Sequence, residues 1–130
     1  MNFDFSDEQK LLQQTARDYL EANSPLATCR AIFEGDQSYA VDLWKGAAEM
    51  GWQGAVVQEQ YGGAEFGHLE LAMIAYEVGR SLAPIPFGPS VYVATEAIIR
   101  FGSDAQKNMW LPKLAEGSVI GTFAFTEKPG

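Results

Sequence analysis

Apolar and polar positions alternate along most of the chain with the period of an α-helix. Ser6-Asp7-Glu8-Gln9 is typical of a capping box, in which the serine hydroxyl accepts from the amide three residues later and acidic residues suit the positive end of the helix dipole. Apolar residues then recur at helical spacing until Asn23-Ser24-Pro25 interrupts them. The pattern predicts an amphipathic first helix between these two signals.

Two shorter helices are expected to follow. The first opens at Pro25, whose fixed φ suits a first helical turn, and Gly35 is expected to end it as a left-handed cap. The second is expected to be capped by Ser38 and to run until the apolar period breaks. Beyond it, Ala55-Val56-Val57 is too short to be more than an extended connector, and 58–67 is expected to be a loop.

Three further helices complete the pattern. The apolar positions between Leu69 and Ala83 cover a broad face, so the fourth helix is expected to be central and buried on most sides. A fifth helix is expected to start at Ser90, after an extended link, and to end at Gly102. The link contains prolines that disfavour helix at the residue before them: Pro84, Pro86 and Pro89. Another capping box, Ser103-Asp104-Ala105-Gln106, predicts a sixth helix that Gly117 closes.

The pattern changes after Gly117. The stretch from Val119 to Thr126 is rich in β-branched and aromatic side chains, which predicts a strand. A lone strand has no partner in a helical domain, so its unpaired backbone and apolar side chains are expected to seek another segment and to favour self-association. The sequence therefore predicts an all-α bundle of about six helices with one short C-terminal strand.

The composition fits one domain with an apolar core, since 47% of the 130 residues are hydrophobic. The net charge of -8 repels phosphate backbones, so nucleic acid is not an expected partner. No apolar run approaches the roughly 18 to 20 residues that span a bilayer, and Met1-Asn2-Phe3-Asp4 lacks the features of a signal peptide. A cytoplasmic location without membrane contact is expected.

Few side chains suggest metal or acid–base chemistry. The single Cys29 cannot form an internal disulfide, and with His68, which is expected at the surface or in a cap, it cannot complete a metal site. Four glutamates could each be proposed as a base, but none has an identifiable partner and solvated positions are expected: Glu65, Glu70, Glu77 and Glu96. The tryptophans lie on apolar helical faces and are expected in the core: Trp44, Trp52 and Trp110.

Five short motifs carry more information together than any of them does alone. They are Glu49-Met50-Gly51-Trp52, Gln60-Tyr61-Gly62-Gly63, Gly102–Lys107, Trp110–Gly117 and Phe123-Ala124-Phe125-Thr126-Glu127. In this order and at this spacing they resemble the acyl-CoA dehydrogenase family. The opening Phe5–Gln9 and the stretch Glu77-Val78-Gly79 extend the resemblance over nearly the whole chain.

The resemblance implies an architecture and an activity. Members of this family have a helical N-terminal domain, a central β domain and a C-terminal helical bundle, bind FAD between them, and oxidise acyl-CoA thioesters at the α and β carbons. Residues 1–117 would then be the helical domain, and 118–130 would begin the β domain. An acyl-CoA substrate, an electron-transfer acceptor and a homo-oligomer are implied for the whole enzyme, whereas the chain alone is expected neither to hold FAD stably nor to be active.

By the same resemblance, Phe123, Phe125 and Thr126 are the cofactor-binding residues, where backbone groups and the threonine hydroxyl meet the flavin ring. Fixed donors at this place stabilise the negative charge that flavin reduction puts near the pyrimidine edge. The family usually continues into a Pro- and Gly-rich turn and a serine that touches the substrate, whereas this sequence reads Lys128-Pro129-Gly130. Gln58 is a second departure, since relatives commonly carry a proline before the Tyr-Gly-Gly loop.

The resemblance also implies an acyl-chain site between the fourth and fifth helices, with Phe87, Val91 and Ala94 as its candidate lining. The family's catalytic glutamate belongs to the C-terminal bundle or a helix near it, so no residue of this chain is assigned that role. Two alternatives stay open. Acyl-CoA oxidases and flavin monooxygenases have a similar architecture, and a non-catalytic helical interaction module could share the ancestry without binding flavin.

Overall fold

The computed structural model describes residues 4–126 as a set of packed helices. The α-helices are α1 (Asp7–Asn23), α2 (Leu26–Glu34), α3 (Val41–Glu49), α4 (His68–Arg80), α5 (Glu96–Phe101) and α6 (Asp104–Ala115). A 3-10 turn, Glu59–Tyr61, lies between α3 and α4, and a π-helix, Gly88–Thr95, called the π segment below, runs directly into α5. The prediction of an all-α fold with six helices is confirmed.

Both capping boxes form as predicted. The Ser6 hydroxyl accepts from the Gln9 amide at 3.1 Å, and the Gln9 side chain accepts from the Ser6 amide at 3.0 Å. Ser103 and Gln106 repeat the arrangement at 3.3 and 2.8 Å. Each box gives partners to amides that the start of a helix otherwise leaves unpaired. A local sequence pattern is therefore sufficient to fix where α1 and α6 begin.

Two other predicted caps are wrong. Ser38 does not cap α3, which begins after Ala40 without a side-chain cap. The Ala40 amide donates to the Pro84 carbonyl at 2.9 Å, so a contact with a distant loop sets this helix start. Gly35 does end α2, but in extended geometry, with φ -102° and ψ -172°, and not as a left-handed cap. Glycine is needed there for space, since an added Cβ would lie 2.6 Å from the Ala31 carbonyl oxygen.

The loop between α3 and α4 folds back on itself. The chain turns at Ala55-Val56-Val57, so the predicted extended connector is wrong. The Gly54 carbonyl accepts from the Val57 and Ala64 amides at 3.1 and 2.9 Å, which brings the two arms of the loop together. Gly63 fits beside them because an added Cβ would lie 2.0 Å from the Val57 carbonyl oxygen. These bonds satisfy backbone groups that no regular element pairs.

The main core is one cluster drawn from α1, α3, α4, the π segment and the loops beside them. Its buried residues are Ala16, Leu20, Ala40, Leu43, Trp44, Ala47, Trp52, Ala55, Leu71, Ile74, Phe87 and Val91. The Tyr19 ring packs edge-on against Trp52, with the ring centroids 5.5 Å apart. Trp44 and Trp52 are each 2% exposed, which confirms them as core residues, whereas Trp110 is 40% exposed and the prediction for it is wrong.

α4 is buried along one face. The prediction that it is buried on most sides is wrong. Leu71, Met73 and Ile74 are buried on that face, whereas Leu69 and Tyr76 are exposed. The helix also ends earlier than predicted, at Arg80. The cause is Leu82, whose φ of 50° lies in the left-handed region and cannot continue an α-helix.

The fifth helical region begins earlier than predicted and has a wider turn. Phe87 already has helical backbone angles, and the π segment leads without a break into α5. Pro89 does not keep the chain extended, because the fixed φ of proline also suits the first turn of a helix. The Thr95 hydroxyl donates to the Ser90 carbonyl, five residues earlier, at 2.9 Å. π-helices are rare, and they are frequently found at functional sites.

Beyond α6 the chain leaves the helices. Gly117 turns it with a φ of 71°, and residues 118–126 have no regular secondary structure. The strand predicted for Val119 to Thr126 does not form within residues 4–126, because a strand needs a partner strand and this part of the chain supplies none. No helix of the described residues is long and apolar enough to cross a membrane.

Candidate functional site

An apolar groove lies between α5, α6 and the residues that follow α6. Its volume is about 390 Å³, which is within the range of small-molecule sites. α5 contributes Ile98 and Phe101, α6 contributes Trp110 and Leu114, and Phe123 lines the groove from the segment after α6. We call this segment, residues 119–126, the post-α6 segment. The predicted cofactor-binding residues therefore lie at this groove or beside it.

A tight link between α5 and α6 fixes the two helical walls. The Gly102 amide donates to the Ile98 carbonyl at 2.9 Å, and an added Cβ at Gly102 would lie 2.5 Å from that oxygen. The capping box at Ser103 follows at once and starts α6. Leu111 and Ala115 on α6 pack in a second buried cluster with Val57. Local sequence signals thus set the link between α5 and α6. The face of α6 that points away from the groove is held by packing in the second cluster.

The three predicted cofactor-binding residues are accessible. Phe123 lines the groove with 56% of its surface exposed, Phe125 is 87% exposed, and Thr126 is exposed. The two phenylalanine rings lie 6.3 Å apart between centroids, tilted by 36°. The post-α6 segment therefore presents two aromatic surfaces and one hydroxyl group that the helices do not cover.

The backbone of the same segment also offers hydrogen-bonding groups. Between residues 4 and 126, the amides and carbonyls of 122–126 make no hydrogen bond. The Gly121 amide just before them does, donating to the Ser90 hydroxyl at 3.1 Å. A planar heteroaromatic cofactor is bound through polar groups at its edge and apolar contacts on its faces. The residues present fit a flavin, which the amides, the Thr126 hydroxyl and the aromatic rings would contact.

The three predicted acyl-pocket residues are divided between the main core and two different cavities. Phe87 and Val91 are each 1% exposed and belong to the main core. The Phe87 ring packs edge-on against Tyr92 at 5.4 Å, and Val91 borders a separate cavity of about 300 Å³ beside His68. Ala94 lines the groove instead. A role for the three residues in binding an acyl chain stays a prediction.

Trp110 is a groove residue that the sequence pattern assigned to the core. Its exposed ring has the Lys113 ammonium group 5.4 Å from its centroid, at the distance of a cation–π contact. The buried residues of α6 are Leu111, Leu114 and Ala115. Because Trp110 stands among apolar residues that are buried, nothing in the sequence indicated that its ring faces solvent.

α1 and α4 are joined by a charge cluster around one buried carboxylate. The fully buried Glu77 carboxylate accepts from Arg17 at 2.9 and 3.2 Å, from Arg80 at 2.6 Å and from Gln13 at 3.0 Å. Burial alone would raise the pKa of Glu77, but these hydrogen bonds outweigh it and hold the pKa below its ordinary value. The predicted solvated position is therefore wrong for Glu77. Glu70 is also bonded to α1, in its case by a glutamine amide at 2.7 Å.

A smaller charged group lies beside the π segment. The His68 Nε2 atom is 3.3 Å from Glu96, and Arg100 donates to the other oxygen of the same carboxylate. Burial would raise the pKa of Glu96, but the bonds from Arg100 and His68 lower it. Glu96 is thus paired and partly buried, with 21% of its side chain exposed, whereas Glu65 and His68 are exposed as predicted. No group of described residues could hold a metal ion.

Comparisons with known proteins agree with the arrangement of helices. A family profile described as "Acyl-CoA dehydrogenase, N-terminal domain" matches residues 6–118. Among curated proteins, a probable acyl-CoA dehydrogenase of Bacillus subtilis (strain 168) is 36% identical over 128 residues, which cover 98% of this chain and 21% of that protein.

Solved structures give the same result. The chain is similar to an acyl-CoA dehydrogenase from Bacillus anthracis complexed with FAD, with 34% identity and a TM-score of 0.80, over 91% of this chain and 21% of the other. It is also similar to a chain of the ChsE4-ChsE5 complex from Mycobacterium tuberculosis, with 26% identity and a TM-score of 0.84, over 94% and 34%. The chain thus spans 21% to 34% of the lengths of these proteins.

Proposed function

The chain belongs to the acyl-CoA dehydrogenase N-terminal domain family, and from this we propose that it is the N-terminal helical part of an FAD-dependent acyl-CoA dehydrogenase. Its contribution is one edge of the flavin site and part of the acyl-pocket wall. The activity, the acyl-CoA substrate and the electron-transfer acceptor belong to the proposal, because the chain spans 21% of its Bacillus subtilis relative. So does the division into a helical domain, 1–117, and the start of a β domain, 118–130.

One observation carries the proposal. Residues 122–126 leave their backbone groups without partners in the described chain while Phe123 lines an apolar groove beside them. These backbone groups are exposed, so they are open to a hydrogen-bonding partner in the way that the unpaired groups of a strand edge are. A flavin ring supplies hydrogen-bond acceptors for the amides and an apolar face for the rings.

The chemistry that these residues would support is charge stabilisation. When bound, FAD supplies the two-electron acceptor for oxidation at the α and β carbons of the thioester. The Thr126 hydroxyl and the neighbouring amides are donors that would stabilise negative charge at the edge of the bound ring, as donors aimed at a developing charge do. Phe123 and Phe125 would exclude water from this edge and so strengthen the same hydrogen bonds.

The groove walls would contribute to the acyl site. Ala94 and Ile98 present small and branched apolar groups along one side, which suits a hydrocarbon chain. Phe87 and Val91, which are core residues, would act from behind by holding the π segment in position. The chain would therefore limit the width of the site more than it would contact the reacting carbons.

Neither of the two paired carboxylates Glu77 and Glu96 is proposed as the base that removes the α proton. A general base must reach the proton and be able to accept it. Glu77 is closed in by two arginines, and Glu96 is paired with Arg100. A homo-oligomeric state and a cytoplasmic location stay predictions from the sequence.

The proposal is tested by titrating FAD into the purified protein and recording flavin absorbance and fluorescence. The 130-residue chain is compared with any longer polypeptide encoded by the same reading frame. Stoichiometric FAD binding by the longer polypeptide, together with acyl-CoA-dependent bleaching of the flavin, is the expected result. A longer polypeptide that purifies well folded but binds no FAD would contradict the proposal and favour the non-catalytic interaction module.

A further inference from the structure

One buried side chain links the π segment to the post-α6 segment. Ser90 is 1% exposed, and its hydroxyl accepts from the Gly121 amide at 3.1 Å. Its own backbone carbonyl accepts from the Thr95 hydroxyl at 2.9 Å, within the same π turn. A rigid acceptor on a helix thereby meets a residue of a segment that has no regular structure.

Within the described chain, residues 120–126 make one hydrogen bond, and it is this bond from Gly121 to Ser90. Val119, just before it, donates to the Lys113 carbonyl at 3.3 Å. Phe123 is two residues beyond Gly121, and an extended chain advances about 3.3–3.6 Å per residue, so the ring is attached within about 7 Å of the anchor. The position of the bond therefore limits where the segment can present its groups.

Steric fit reinforces the bond at the same point. A Cβ added to Gly121 would lie 2.4 Å from the Ala94 Cβ and 3.3 Å from a Leu114 methyl group. The backbone of Gly121 therefore lies directly against the π segment, and a larger residue would have to move away from Ser90. The segment that is predicted to contact the flavin thus meets the predicted wall of the acyl pocket where Gly121 packs against Ala94.

We propose that Ser90 is a positioning residue for the flavin edge, which acts by holding the Gly121 amide and with it the register of residues 122–126 against the π segment. The inference rests on the proposed function, since it assigns Ser90 a task toward the flavin. Ser90 does not touch the cofactor. It fixes the segment whose hydroxyl and amides do, and it fixes that segment relative to Ala94.

A matched pair of variants separates positioning from general stability. Ser90→Ala removes the acceptor for the Gly121 amide. Thr95→Val removes a buried hydroxyl from the same π turn, keeps its volume, and leaves the bond to Gly121 intact. A merely structural role predicts equal effects of the two variants on the flavin. Ser90→Cys has a similar volume but a weak acceptor, and it replaces Ser90→Ala if the alanine variant does not fold.

The first measurement needs no flavin. Amide hydrogen exchange at Gly121, followed by NMR in the 130-residue chain, is expected to accelerate about five- to tenfold in Ser90→Ala, as loss of one hydrogen bond predicts. In Thr95→Val the rate at Gly121 is expected to change less than about twofold, although the melting temperature falls. Equal exchange rates at Gly121 in wild type and Ser90→Ala would overturn the inference.

The second measurement uses the FAD-binding polypeptide. Ser90→Ala is expected to weaken FAD binding about five- to tenfold and to shift the absorption bands of the bound flavin, because a smaller fraction of molecules holds the segment in register. Thr95→Val is expected to leave both unchanged. Effects on the flavin that follow the melting temperature equally in the two variants would overturn the inference, whereas a wild-type polypeptide that binds no FAD would overturn the proposed function itself.

Discussion

The Glu77 carboxylate, on α4, accepts two hydrogen bonds from the Arg17 guanidinium, on α1, while Glu77 is fully buried. A bidentate pair of this kind has both charge and a fixed geometry. Arg17 remains 38% exposed, so the guanidinium keeps contact with water while the carboxylate does not. The pair therefore ties the two helices at a point where an unpaired carboxylate would be costly.

Replacing Glu77 by glutamine is expected to lower the free energy of unfolding by about 2 kcal/mol. The estimate lies below the roughly 3–5 kcal/mol for breaking a buried ion pair, because both arginines are partly exposed and can turn toward water. Glu21→Gln is the control, since Glu21 is a mostly exposed partner of Arg80 and is expected to contribute less than about 1 kcal/mol. Urea unfolding followed by circular dichroism measures both, and equal effects would contradict the assignment.

The same carboxylate predicts a dependence of stability on pH. The folded pKa of Glu77 lies below its ordinary value of 4.5, so the folded state favours the ionised form. Its contribution is complete above that ordinary value and is lost as the pH falls through the folded pKa. The difference in unfolding free energy between wild type and Glu77→Gln is expected to be constant near neutral pH and to narrow below about pH 4.5. A difference that does not narrow at acid pH would contradict the lowered pKa.

Local signals explain how much of the fold the sequence could predict. Both capping boxes lie within four consecutive residues, and both helix starts were predicted correctly. The prediction that Ser38 caps α3 was wrong because the start of α3 is set by a hydrogen bond from Ala40 to Pro84, far along the chain. The prediction that Glu77 is solvated was wrong for the same reason, since its partner Arg17 lies on another helix. What depends on tertiary contact is not visible in a local pattern.

The candidate site follows the same division. The resemblance put Phe123 and Thr126 on the first strand of the β domain, whereas the structure has them in an exposed segment without regular secondary structure, beside a groove. The π segment could not be predicted, because its sequence contains two common helix-start residues, Gly88 and Pro89, and no signal for a wider turn. The exposure of Trp110 escaped prediction as well, because apolar periodicity does not distinguish a core face from the wall of a groove.

Gly121 and Ala94 are expected to be coupled in a double-mutant cycle. Gly121→Ala places a methyl group 2.4 Å from the Ala94 Cβ and is expected to destabilise the chain by about 1–3 kcal/mol through overpacking. Ala94→Gly alone is expected to cost about 0.5–1 kcal/mol, the usual penalty for glycine in a helix. The double variant removes the clash, so it is expected to be more stable than the sum of the two effects by at least about 1 kcal/mol. Simple additivity in urea melts would exclude the contact.

The exposed groove predicts self-association of the purified chain. Phe101 is 85% exposed and lines the groove together with Trp110, so burial against a second molecule removes apolar surface from water. Phe101→Ser is expected to shift the sedimentation profile toward monomer. Phe33→Ser is the control, because Phe33 is 89% exposed but does not line the groove. A wild-type chain that stays monomeric at high concentration would contradict the prediction.

Thr126 gives the most direct test of the flavin edge. Thr126→Val keeps the shape of the side chain and removes its hydroxyl, so the FAD-binding polypeptide loses one donor to the ring. A donor that stabilises the reduced flavin more than the oxidised flavin by about 1.4 kcal/mol raises a two-electron potential by about 30 mV. The potential of the valine variant is therefore expected to be more negative by up to about 30 mV, as measured by equilibrium titration with a reference dye.

Two control variants decide whether the hydroxyl of Thr126 is responsible for such a shift. Thr126→Ser keeps the hydroxyl and is expected to retain the wild-type potential. Thr122→Val removes a hydroxyl from a residue that lines the groove in the same segment, and it is expected to have no effect on the flavin. If Thr122→Val and Thr126→Val shift the potential equally, the cause is the loss of polarity in the segment as a whole. If neither variant shifts the potential, the proposed contact between Thr126 and the flavin is excluded. A hydrogen bond that stabilises the reduced ring cannot be removed without lowering the potential of the flavin.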